Sequence, residues 1–113
     1  MARKKAKHSD TLQVDALVAV NGDAMAPDLL SGDLVFIQNG TPTDGQIAFV
    51  EVRGESTIRR IHYSPDGLQL LCNNPDLPPI RIESPENIRI IGVMVGLVRL
   101  IKEKPADLAH QQA

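Results

Sequence analysis

The chain has 113 residues, 42% of them hydrophobic, with a formal net charge of −2 and one cysteine. That length supports one domain with a single modest core. The weakly acidic balance excludes a generally basic nucleic-acid-binding surface, and one Tyr with no Trp excludes an aromatic base-stacking platform.

The opening "MARKKAKHSD" is basic, but a polar stretch follows it rather than an apolar signal region, so residues 1–11 read as a solvated, flexible leader. "LQVDALVAV" (Leu12 to Val20) is β-rich and predicts a strand, broken by Asn21-Gly22-Asp23. "APDLL" suits a short helical turn, with Pro27 in a first-turn position and Leu29 and Leu30 docking inward. Ser31-Gly32-Asp33 is a second turn that launches the strand "LVFIQ". After the loop "NGTPTDG" come "QIAFVEVRG" and "STIRRIHY", two strands joined tightly through Gly54-Glu55. "SPDG" is a turn, "LQLLC" a strand, and "NNPDLPP" an extended loop that cannot be helix interior. "IRIES" is short, and "NIRIIGVMVGLVRLIK" is a long β-rich run in which Gly92 and Gly96 mark bulges or bends. Short strands at close spacing predict a mostly-β domain over residues 12–102, a folded-over β-sandwich or partly closed barrel with one short helical turn. Residues 103–113 read as a polar tail.

The chemistry-bearing residues are sparse. His8, His62 and His110 have no metal-ligand spacing, and no phosphate loop or dinucleotide motif is present, so neither a metal nor a cofactor is expected. Asp23, Asp28 and Asp33 sit in or beside turns and suit capping roles. The longest apolar run, near Ile90 to Ile101, is cut by Arg99 and cannot span a bilayer. With Cys72 alone, the chain fits a reducing cytoplasm.

Five segments in order carry a specific resemblance: "VNGDAMAPDLLSGDLVFI", "DGQIAFV", "STIRRI", "LQLLCNNP" and "IRIIGVMVGLVR". Together they resemble the C-terminal domain of LexA, whose family includes phage repressors and the polymerase accessory protein UmuD. The resemblance spans roughly Ala16 to Leu100. It implies a β-rich fold with a Ser/Lys dyad, in which a neutral lysine takes the proton of a serine that attacks the protein's own N-terminal segment. The serine would follow the Gly-Asp pair and precede Met, which places Ala24 there; the lysine would come from a Thr-Val-Lys-Arg strand, which places Arg59 there.

Both departures fall on the reacting positions. Ala24 offers a methyl group and no nucleophilic oxygen. A buried lysine can lose its proton near neutral pH, but deprotonating an arginine at pH 7 costs at least ~7 kcal/mol, at about 1.36 kcal/mol per pH unit. General-base catalysis of about 10²–10⁴-fold cannot absorb that. Neither an Ala-Gly nor a Cys-Gly cleavage pair precedes Leu12. The expectation is a non-catalytic domain that keeps the frame residues Gly22, Asp23, Met25, Pro27, Gly32, Asp33 and Thr57 because they also build the fold. Ser31, Ser56, Thr57 and Cys72 are the remaining candidate nucleophiles, and none shows a base nearby in sequence.

The resemblance implies pairing through the C-terminal strand region, here Arg89 to Leu100. That run is either a central core strand or an unpaired edge, and an edge would suit a homodimer. With Arg59 in it, the cleft could clamp an acidic or carbonyl-rich peptide. The competing expectation is that Arg59 pairs locally with Asp23, Glu51 or Glu55 and closes the groove. No helix-turn-helix is visible, so direct operator binding is not expected of these residues. A self-cleaving peptidase with an unrecognised nucleophile and a UmuD-like polymerase accessory subunit are the alternatives.

Overall fold

The computed structural model describes residues 12–101, which form one curled antiparallel sheet of seven strands. These are β1 (Ala16–Ala19), β2 (Leu34–Asn39), β3 (Ile47–Val52), β4 (Glu55–Ser64), β5 (Gly67–Leu71), β6 (Ile80–Ile82) and β7 (Ile88–Val98). Their order across the sheet is β1-β2-β7-β3-β4-β5-β6. The fold is thus the mostly-β, partly closed barrel expected, although β1 is shorter than the run that encodes it. The leader and the polar tail lie outside the described residues.

The expected helical turn falls elsewhere. "APDLL" is a run of turns, closed by the Ala26 N–H to Asp23 carbonyl bond of 3.1 Å and the Leu29 N–H to Met25 carbonyl bond of 2.9 Å. The regular helical element among the described residues is a 3-10 turn, Pro85–Asn87, entered through a proline that needs no N–H partner there. Met25 and Leu29 are fully buried, but Leu30 is exposed rather than docked. Burying side chains of that size contributes about 1.5–3 kcal/mol each, which seats the turn on the sheet.

Side chains directly opposite on antiparallel strands share a face. Val35, Ile37, Ile47 and Ile58 form one core with Val20, Met25 and Leu29, while Ala48, Val50, Ile61, Leu70 and Ile82 form another. β3 supplies both, Ile47 and Phe49 to the first and Ala48 and Val50 to the second. That double burial explains why "IAFV" shows no apolar–polar alternation.

β7 is not the unpaired edge that a strand-pairing dimer needs along its length. Ile88 to Val93 lie between β3 and β2 or beside β3, with Gly92 and Val93 paired on both sides. The β3 register stops at Ala48↔Val93, whereas the β2 register runs on to Leu34↔Val98. Beyond Val93, β7 has β2 as its one strand neighbour among the described residues, and before Gly92 it has β3. The register shifts at Gly96/Met94 and at Gly92/Ile90 each leave one extra β7 residue, Val95 and Ile91, beside a glycine. Both bulges sit where the sequence marks them, and they increase the local twist that curls the sheet.

The Asp33 carboxylate, 2% exposed as a residue, ties the two ends of the fold together. Arg99 donates to it from Nε at 2.9 Å and from Nη2 at 2.7 Å, and the Leu30 N–H donates to it at 2.8 Å. The hydrogen bonds from Arg99 to Asp33 raise the guanidinium's pKa above its ordinary value. Asp15 fixes the edge strand similarly: the Asn39 N–H donates to it at 2.7 Å and holds its carboxyl below the usual carboxylate range.

Candidate functional site

The curl brings the end of β1 towards the first half of β4, and a cleft of about 180 Å³ lies between them. Val18, Ala19, Val20, Asn21, Ala24 and Met25 line one wall, and Ser56, Thr57, Ile58 and Arg59 the other, with Phe49 between. Ala24 and Arg59, 35 positions apart in sequence, therefore share one cavity.

The Ala24 turn is held by backbone bonds from two directions. The Ala26 N–H donates to the Asp23 carbonyl at 3.1 Å, and Gly22 takes the positive φ of 84° that the turn requires. From the loop after β5, the Asn74 N–H donates to the Ala24 carbonyl at 3.0 Å and its Nδ2 to the Asp23 carbonyl at 3.1 Å. Asn73 reinforces this, donating from Nδ2 to Asp28 at 2.6 Å and accepting from Arg60 Nε at 3.1 Å. Sequence reasoning read "CNNP" as a loop and missed this strap; its signal was the pair of amides, each able to satisfy two groups at once.

Of the frame residues, Met25 and Thr57 line the cleft with Ala24 and Arg59. Gly22, Asp23, Pro27, Gly32 and Asp33 do not line it. Gly22 and Asp23 shape the turn from outside, Pro27 is exposed, and Gly32, at φ 95°, leads into the buried Asp33.

Arg59 does not pair locally as expected. Its Nη1 donates to the Ile58 carbonyl at 2.8 Å, and its buried Nε has no hydrogen-bond partner among the described residues. Glu51 is taken by Arg89 at 2.8 Å and Asp28 is engaged by Asn73 and Arg60. Arg59 therefore stands at the cleft without a carboxylate among the described residues.

Groups able to accept a proton from a hydroxyl are scarce here. Ser56 and Thr57 line the cleft, but the lysines are Lys4, Lys5, Lys7, Lys102 and Lys104, all outside the described residues. His62 lies away from the cleft and bonds through Nδ1 to Asp44 at 3.1 Å. The Tyr63 N–H, at 2.8 Å, and His62 together hold the Asp44 carboxyl below its ordinary pKa. No group of three metal-ligating side chains is present among the described residues. A second, more apolar groove, lined by Leu68, Ile82, Pro85, Ile88 and Ile90, carries Glu83 as its titratable residue.

The Peptidase S24-like family model matches residues 4–95. The chain belongs to the Peptidase S24-like family. It is 42% identical over 87 residues to LexA repressor 2 of Pseudomonas syringae pv. tomato, covering 75% of this chain and 43% of the repressor. It is 41% identical over 90 residues to LexA repressor 1 of Xanthomonas campestris pv. campestris, covering 78% and 45%. A third relative, the LexA repressor of Syntrophotalea carbinolica, is 35% identical over 85 residues, covering 74% and 42%. The chain thus spans less than half the length of the curated relatives it matches. What it shares with them is the LexA-like, S24 peptidase fold, and among the described residues no helix is long and apolar enough to cross a membrane.

Proposed function

We propose that this S24-fold domain does not cut peptide bonds and works instead as a dimerisation or regulatory partner-binding module in transcription regulation or the DNA-damage response, within the cytoplasm. Ala24 takes the position of the family's serine and Arg59 that of its lysine. The observation that carries this reading is their convergence on one cleft that no lysine or histidine of the described residues lines. A methyl group and a guanidinium can neither attack a carbonyl nor take up a proton at neutral pH. Prolonged incubation at mildly alkaline pH, followed by intact-mass spectrometry, is expected to return the full-length mass. A discrete N-terminally shortened product would show that Ser56, Thr57 or another group serves as nucleophile and would overturn the reading.

The cleft is built to receive an extended chain. Among the described residues, β1 has a strand neighbour only in β2, and Glu55 to Arg59 of β4 only in β3, because the β5 register begins at Arg60↔Leu71. Two rows of backbone donors and acceptors therefore border the cavity, the arrangement that accepts an added strand.

The half-paired end of β7 supports self-association. Leu97, Val98, Leu100 and Ile101 are exposed there, on a segment with one strand neighbour among the described residues. Light scattering at tens of micromolar is expected to give the mass of a dimer, and Val98→Lys to give that of a monomer. A wild-type monomer at that concentration would remove the pairing role.

A further inference from the structure

We infer that the cleft recognises a carboxylate on its peptide, with Arg59 as the residue that binds it. This rests on the reading of the cleft as a site for an extended chain. Three observations converge on it. The first is the buried Arg59 Nε, a charged donor without an acceptor. A buried charged donor left so keeps its full desolvation penalty and calls for a partner supplied from outside. The second is that the guanidinium is satisfied in the described residues by one neighbouring carbonyl alone, that of Ile58. The third is the lining: the apolar side chains of Val18, Val20, Phe49 and Ile58 share the cavity with Arg59 and with the polar Asn21, Ser56 and Thr57, so a carboxylate bound there is partly shielded from water, which strengthens a charge-assisted bond.

A backbone carbonyl would meet one N–H. A carboxylate meets two, in the planar fork that guanidinium presents, and brings the opposite charge. Position 24 on the other wall presents a methyl group, which offers that ligand no side-chain donor. The carboxylate can come from an Asp or Glu side chain or from a free C-terminus, and the chemistry at Arg59 is the same.

The test uses the full chain, labelled with nitrogen-15, titrated with N-acetylated degenerate hexapeptide pools rich in β-branched residues. The pools differ in Glu or Gln at the third position and in a free or amidated C-terminus. The amides of Ala24, Thr57 and Ile58 are expected to respond at about tenfold lower concentration to carboxylate-bearing pools than to their neutral isosteres. Preference for Glu whatever the terminus assigns a side chain; preference for the free acid whatever the third residue assigns a C-terminus. Arg59→Gln is expected to equalise the pools while still binding the neutral one. Equal responses of the wild-type chain to acidic and neutral pools overturn the carboxylate inference and leave the peptide reading standing. Silence of the cleft amides towards every pool overturns both.

Discussion

Gly92→Ala is expected to lower the domain's stability by about 3 kcal/mol or more, at the upper end of what overpacking costs. A Cβ at Gly92 would lie 2.5 Å from the Gln38 carbonyl oxygen and 2.6 Å from Ile37 Cγ2. The first of these atoms is backbone in a paired strand and the second belongs to a fully buried side chain, so neither can yield cheaply. Gly92 is also, with Val93, one of the two residues that β7 pairs with both β2 and β3, and it lies next to a bulge, so relief of the clash must spread into both neighbours. Urea unfolding should show a lower midpoint at unchanged slope, and the melting temperature should fall by roughly 10 °C or more in a domain of this size. Gly96→Ala is the internal control. Its Cβ would meet Phe36 Cδ2 at 3.2 Å, a half-buried ring that can shift, and the loss should be less than half as large. Equal losses at the two glycines would mean that the crowding at Gly92 is not what limits the strand.

Asp33→Ala is expected to cost on the order of 3 kcal/mol, since hydrogen bonds to charged groups contribute about 1.5–3 kcal/mol each but are not additive. The carboxylate caps the Leu30 N–H and receives the forked donation of Arg99 across 66 positions of sequence. Removing it leaves a half-exposed guanidinium that water can solvate, so the loss stays below that of stranding a buried charge. Asp33→Asn keeps an acceptor for Leu30 and should fall between the two. Because Arg99 follows β7 directly, Asp33→Ala should also weaken self-association, seen as a shift towards monomer at concentrations where the wild type pairs. Unchanged thermal stability would show that the fork is a surface contact.

The strands were legible because β-branched runs alternate with turn residues, and Gly92 and Gly96 stood out because a glycine inside such a run needs a reason. The sheet order was not legible. Nothing local to "NIRIIGVMVGLVRL" says that its first half will sit beside β3 and its second beside β2, and that placement decides whether it is core or edge. The 3-10 turn at Pro85–Asn87 was hidden because three residues carry no periodicity. At the cleft, the resemblance singled out Ala24 and Arg59, and the fold brings them together. The partners of Arg59 were misjudged because proximity in sequence was the guide: Glu51 faces Arg89 across the sheet instead. The strap from Asn74 to Asp23 and Ala24 joins segments about fifty residues apart and could be found only in three dimensions.

That strap separates geometry from reactivity. Asn74 grips the main chain at Asp23 and Ala24, so the bend they form does not depend on which small side chain position 24 carries. Ala24→Ser is therefore expected to leave the bend and the domain's melting temperature unchanged. The main-chain frame of the cleft is thereby uncoupled from the side chain that decides what the cleft can do.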